Sequence, residues 1–175
     1  GKQGFEIAIA LKRQGVKTIL IAGPSNLQPV KGLKTVHVNT SEEMFKAVKK
    51  NLPTDVAVCT AAVSDFKPRK IQKSKIKKGN TYKNLILEKT NDILDFLGKN
   101  NMHRPKLVVG FSAETENLIA NSKIKMKNKN SDIIIANDIS RKDIGFNKDL
   151  NEVTVIDSNG KTFKIKKNKK SFVGS

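Results

Sequence analysis

Asp65 and the lysines that follow it are the residues best equipped for chemistry. The stretch "CTAAVSDFKPRKIQKSKIKK", Cys59 to Lys78, passes from an apolar run to one aspartate and then to Lys75, Lys77 and Lys78. A carboxylate that can hold Mg²⁺ beside lysines that neutralise phosphate oxygens is the minimum equipment for phosphoryl or nucleotidyl transfer. A solvated basic loop would read the same way. Lys125 and Lys129 stand four residues apart, so a helix would project both ammonium groups from one face; a solvated helix face explains that spacing as well. Gly1-Lys2-Gln3-Gly4 at a helix start offers backbone N–H groups to an anion, and close helix packing equally accounts for the glycines.

Other chemistries lack their residues. His37 alternates with apolar neighbours and His103 precedes Arg-Pro, which leaves no metal pair. Cys59 has no histidine partner, and there is no Gly-x-Ser-x-Gly elbow, no Walker loop and no Gly-x-Gly-x-x-Gly turn. The balance of 34 Lys plus Arg against 16 Asp plus Glu gives a net charge of +18 and a pI near 10.0, a field that draws anionic partners. A basic α/β nucleic-acid-binding module is the competing class. Against it stand one tyrosine, no tryptophan and phenylalanines mostly inside apolar runs, which supply no stacking platform. One cysteine offers neither a disulfide framework nor a thiolate metal cluster, and no segment reads as a membrane span or signal peptide. A soluble cytoplasmic domain is expected.

The elements that must position these residues follow from periodicity. "GKQGFEIAIALKRQG" places Phe5, Ala8, Ile9 and Lys12 on one helical face and ends at Gly15. Strands are expected at Val16–Ala22, Thr35–Asn39, Asp55–Ala62, Lys83–Glu88, Lys106–Phe111 and Ser131–Asp138, with Asp55–Ala62 central because it is apolar almost throughout. Thr40 and Glu43 form a capping box before a helix running to about Lys50. "NDILDFLGK", capped by Asn91 or Thr90, and "ENLIANSKIKMKNK" are further helices. Asn159-Gly160 between alternating runs predicts a C-terminal hairpin with a type I′ turn, and "KKNKKSFVGS" a loose tail. The fold class expected is α/β: a Rossmann-like three-layer fold on a parallel sheet, extended by that hairpin, in a single domain over residues 1–175. In such a fold a first strand and its turn precede the opening helix, so residues upstream of Gly1 are expected. Ligands bind at the carboxyl ends of the strands, here Ala22–Asn26, Ala61–Lys78, Phe111–Thr115 and Ala136–Ser140.

Six ordered segments, "AAVSDFKP" with "KSKIKK", "EKTNDIL", "VVGFSAETENL", "KIKMKNKNSDIIIANDIS" and "GFNKDLNEVTVI", resemble the phosphopantothenoylcysteine synthetase family of coenzyme A biosynthesis, of the bacterial type. The resemblance runs from Gly1 to about Lys166. It implies a ligase that activates 4′-phosphopantothenate with CTP, more readily than ATP, as an acyl-cytidylate and then joins it to L-cysteine, with Mg²⁺ assisting. Carried over by position, Cys59, Thr60 and Ala61 would meet the nucleotide base. Asp65 would lie near the ribose or hold the metal, and Lys75 would contact phosphate from a mobile loop, these two being the catalytic residues. Asn91, Asp92, Ile93 and Leu94 would offer helix N-terminal contacts, Phe111 an apolar surface, and Lys125 and Lys129 further cations. The resemblance also implies a homodimer and a flavin-dependent decarboxylase domain upstream.

Overall fold

The computed structural model describes residues 1–70, 74, 84–100, 102–140 and 148–175. Lys75, Lys77 and Lys78 fall outside the described residues. Helix α1 (Lys2–Arg13) buries Phe5 and Ala8. It closes with Gly15 at φ +79°, where the Gly15 N–H donates to the Lys12 carbonyl and the Val16 N–H to the Leu11 carbonyl. This pair of bonds satisfies carbonyls that the helix end leaves open.

Strand β1 (Ile19–Ala22) pairs in parallel with β2 (Lys34–His37). Between β2 and the next strand lies α2 (Ser41–Lys50), whose Glu43 N–H donates to Thr40 Oγ1 at 3.1 Å while the Glu43 carboxylate accepts from the Asn39 N–H at 2.7 Å. The capping-box expectation therefore holds, with the return bond shifted one residue upstream. Strand β3 (Val56–Cys59) follows, then β4 (Phe66–Pro68) and β5 (Leu87–Lys89), which form an antiparallel arm. Helix α3 (Ile93–Lys99) leads into β6 (Leu107–Glu114), α4 (Leu118–Lys129) and β7 (Ile133–Asp138). The chain finishes with β8 (Leu150–Asp157), β9 (Thr162–Lys169) and the short α5 (Lys170–Val173).

The domain is mixed α/β with helices flanking a main sheet ordered β3-β6-β7-β8-β9. Only β3, β6 and β7 run parallel; β8 and β9 are antiparallel additions, so the sheet is mixed where a parallel one was expected. β1 and β2 form a separate pair, and β3 is an edge strand of the main sheet rather than its centre. An apolar run states how much surface a strand must hide, not which neighbour hides it. Here part of that surface lines a cleft.

Other expectations are corrected by local chemistry. Asp92 rather than Asn91 or Thr90 caps α3, because its carboxylate receives the Asp95 N–H at 2.8 Å. In the β8–β9 hairpin only Gly160 takes positive φ, whereas a type I′ turn needs it at both central residues. The Asp157 carboxylate accepts the Asn159 and Lys161 N–H groups at 3.0 and 2.9 Å and so sets the turn. The tail is ordered: β9 continues to Lys169, and α5 packs against α1 with Lys170 buried. Phe66, Phe163 and Phe172 are exposed, so the expectation that the phenylalanines lie mostly inside apolar runs does not extend to these three.

The core joins α3, α4 and the main sheet. Val108, Ile134 and Ile156 expose nothing, and Leu94, Leu97 and Met126 pack with them. Each such burial is worth about 1.5–3 kcal/mol. Gly98 lets α3 touch the end of α4, since a Cβ there would stand 1.9 Å from the Lys129 carbonyl oxygen. At the opposite end from the strand carboxyl termini, Arg104 donates to the carbonyls of Gly98, Pro105 and Asn130 and to both oxygens of Asp132, all within 3.0 Å. Among the described residues no helix is long and apolar enough to cross a membrane.

Candidate functional site

A cleft of about 1430 Å³ opens between the β1 side of the molecule and β3, reaching the N-terminus of α1 and the first turn of α3. Its position follows from the parallel strands: β3 delivers Thr60 and Ala61 just beyond its carboxyl end, and β6 contributes Phe111 from within the strand. Gly4 brings α1 directly over β3, because a Cβ there would lie 2.5 Å from Thr60 Oγ1. Any larger residue would push the helix out.

The cleft gathers Cys59, Thr60, Ala61, Asp65, Asn91, Asp92, Ile93, Leu94, Phe111, Lys125 and Lys129, eleven of the twelve residues singled out in the sequence. Lys75 is the twelfth and lies outside the described residues. Their environments differ. Leu94 belongs mainly to the core, and Asn91 Nδ2 donates to Glu42 at 3.2 Å. Burial pushes the Cys59 thiol up to about 12, with the Asp92 charge adding to it, so Cys59 presents a neutral thiol and no nucleophile.

Asp92 and Lys129 form the electrostatic centre. Lys129 Nζ stands 2.8 Å from Asp92 and 3.8 Å from Asp95. Burial pushes the Asp92 carboxyl up, but the Asp95 N–H and the Lys129 and Lys125 ammonium groups outweigh it and hold Asp92 below the ordinary carboxylate range. The hydrogen bond to Asp92 raises Lys129, with Asp95 and the more distant Asp65 adding to the effect. Lys125, one turn earlier on α4, carries a second positive charge to the same rim. The pair can hold an anion beside Lys125 while Asp92 keeps the α3 N-terminus in place.

The metal role expected of Asp65 finds no set of acidic ligands beside it among the described residues. Asp65 is exposed, and among the described residues no three His, Cys, Asp or Glu side chains come together to hold a metal. Asp92, the neighbouring carboxylate, is already committed to a cap and an ion pair. Four more polar side chains contribute to the cleft wall; Ser112 lies in the expected stretch 111–115, and sequence reading missed Asn121, Asn151 and Lys170. Ser112 Oγ donates to Glu114 at 2.6 Å, and Asn121 Nδ2 donates to the same carboxylate at 3.3 Å. Asn151, in phase with buried Val153 on β8, and Lys170 on α5 also line it. A polar residue at an inward strand position was the available signal for Asn151; Lys170 gave none.

Residues 1–175 match the family described as "DNA/pantothenate metabolism flavoprotein C-terminal domain". The coenzyme A biosynthesis bifunctional protein CoaBC of Haemophilus influenzae is 37% identical over 161 residues, which cover 91% of this chain and 40% of that protein. A cysteine/cysteine sulfinic acid decarboxylase from an unknown prokaryotic organism is 35% identical over 159 residues, 90% of this chain and 44% of that protein. The chain thus spans less than half the length of these curated relatives. The crystal structure of the C-terminal domain of a CoaBC protein superposes with a TM-score of 0.81 at 31% identity, covering 99% of this chain and 77% of that one.

These matches correct the functional expectations. The names they carry are flavoprotein and decarboxylase, in place of a phosphopantothenate–cysteine ligase using CTP and Mg²⁺ on 4′-phosphopantothenate and L-cysteine. Coenzyme A biosynthesis is in the name of the CoaBC relatives. A flavin is the cofactor that the family description suggests. The cleft lining is largely apolar, with Ile7, Ile21, Val58 and Ile93 in it, but among the described residues Phe111 is its single aromatic side chain, so no two aromatic faces come together there to sandwich a tricyclic ring. No step is routed through a flavin.

Proposed function

The chain belongs to the DNA/pantothenate metabolism flavoprotein C-terminal domain family, and from that premise we propose that its cleft holds 4′-phosphopantothenoylcysteine, the compound that is decarboxylated in coenzyme A biosynthesis. In this reading the 175 residues supply binding and orientation, and electron transfer belongs to a cofactor held elsewhere in the longer protein. The observation that carries it is one cleft combining an apolar floor, Ala57, Ile93 and Leu97, with cationic rims at Lys125, Lys129 and Lys170. A long ligand with an anionic phosphate, a neutral amide arm and a terminal carboxylate matches that distribution. The twelve residues drawn from the sequence enter here as candidate contacts, with Lys125 and Lys129 as the cations nearest the α3 N-terminus.

Calorimetry on the full-length protein with 4′-phosphopantothenoylcysteine tests the reading, with CO₂ release followed in parallel. Binding that weakens about tenfold in Lys125→Ala, together with CO₂ release, is expected. No binding would overturn the ligand assignment. Pyrophosphate release from a nucleoside triphosphate without CO₂ release would overturn the decarboxylation assignment.

A further inference from the structure

Asn121, Lys125 and Lys129 follow one another on α4 at intervals of four residues, and all three line the cleft. Side chains one turn apart on a helix are neighbours, with Cβ atoms about 5–6 Å apart. The Asn121 amide is held in one orientation. Its Nδ2 donates to Glu114 Oε2 at 3.3 Å and to the Glu116 carbonyl at 3.2 Å, and a carboxylate and a carbonyl can only accept. Ser112, 1% exposed on β6, donates to the other Glu114 oxygen at 2.6 Å and so fixes that carboxylate. Glu114 and Glu116 are not part of the cleft wall, whereas Asn121 is. The amide nitrogen therefore faces away from the opening, and Oδ1 is the end left for it. Among the described residues no group donates to that oxygen.

The charges one turn further along are shared out unevenly. Lys129 pairs with Asp92 at 2.8 Å and Lys99 with Asp95 at 2.7 Å, while among the described residues no carboxylate pairs directly with Lys125. Lys125 is thus the cation of this rim left to take an anion, and a single ammonium matches a single negative charge. We propose that Asn121 and Lys125 form a subsite for an N-acyl amino acid. The Lys125 ammonium takes the carboxylate, Asn121 Oδ1 accepts from the amide N–H beside it, and Glu114 is the positioning residue that sets the Asn121 amide. Carboxylate and N–H leave the same carbon in such a compound, so both come within reach of side chains one turn apart. This rests on the reading of the cleft as a site for 4′-phosphopantothenoylcysteine, whose cysteinyl end has that arrangement, and names the side chains that read that end. An ester oxygen in place of the N–H would meet Oδ1 with no hydrogen between them.

Titration of the full-length protein with three compounds separates the parts of the proposal: 4′-phosphopantothenoylcysteine, its analogue with an ester oxygen in place of the cysteinyl N–H, and its decarboxylated counterpart, which keeps the N–H. The unsubstituted protein is expected to prefer the amide to the ester about tenfold. Asn121→Leu is expected to remove that preference, and Glu114→Gln to reduce it, because a glutamine can turn its own N–H groups toward Asn121. Lys125→Ala is expected to keep the preference and to weaken the carboxylate-bearing compound about tenfold, with the decarboxylated one unchanged. A general loosening of the cleft would weaken amide and ester alike and leave their ratio as it was. Equal affinity of the unsubstituted protein for amide and ester overturns the subsite without any variant, as does a full preference in folded Asn121→Leu. Failure of the unsubstituted protein to bind 4′-phosphopantothenoylcysteine would instead overturn the ligand assignment on which the subsite rests.

Discussion

Val108, Ile134 and Ile156 in the main sheet expose nothing to solvent, whereas Ile19, Leu20 and Ile21 on β1 are only half-buried and Val56 on β3 is 45% exposed. Both groups are aliphatic residues on strands. The difference lies in what covers them: the first group is packed under α3 and α4, and the second faces the cleft. Apolar side chains left half-covered beside ordered cations are surface held ready for a ligand. The side of the molecule that stabilises the fold is therefore not the side that contributes most of the cleft wall.

The sharpest way to break this comparison is to truncate one aliphatic residue on each side. Ile134→Ala should cost about 3–5 kcal/mol through lost burial and a cavity, and Leu20→Ala only about 1–2 kcal/mol. Urea denaturation of both variants checks it; equal losses would mean that the two sides are packed alike. The next effect concerns Asp132, whose carboxylate receives Arg104 through both oxygens and also the Val108 N–H at 2.7 Å. Asp132→Ala leaves these donors without their acceptor and should cost about 2–3 kcal/mol, read as a lowered melting temperature. An unchanged melt would place the anchor elsewhere.

Thr40→Ala removes the acceptor for the Glu43 N–H and should cost about 1 kcal/mol in the same denaturation assay. A loss above that of Asp132→Ala would reverse the ranking of the two sides. The smallest effect belongs to the cleft. Lys129→Met at neutral pH should cost under about 1 kcal/mol, since the pair with Asp92 is partly solvated. Its sign with pH follows from the lowered Asp92 carboxyl. The stabilisation is complete above the unfolded value of about 3.9 and is lost as pH falls through the folded value. The gap between Lys129→Met and the unsubstituted protein should therefore close below about pH 4. A gap that persists in acid would detach Asp92 from Lys129.

Periodicity made most elements legible because α1, α2, α4, β6 and β7 each hide one face or two, and hiding leaves a pattern in sequence. The partition of the strands into a main sheet and a separate β1–β2 pair left no such pattern, since a strand's own residues do not encode its neighbour. The three-residue β4 was illegible for another reason: Phe66-Lys67-Pro68 reads as a turn, and its pairing with Leu87–Lys89 is a contact distant in sequence. On the cleft, residues at strand ends and on the lysine face of α4 could be picked out by spacing. Lys170 could not, because a lysine among lysines looks solvated until α5 is seen folded against α1.

The Arg104 guanidinium has a mechanical consequence. One planar cation holds the carbonyls at the C-terminal ends of α3 and α4 together with the start of β7, and no flexible ammonium could grip all of them in one plane. The two helices are clamped at their C-terminal ends, and the α3 N-terminus has its own tie to the same end of α4 through Lys129 and Asp92. α3 is thus fastened to α4 at both of its ends, so loosening either tie alone leaves the other to hold the helix pair in register.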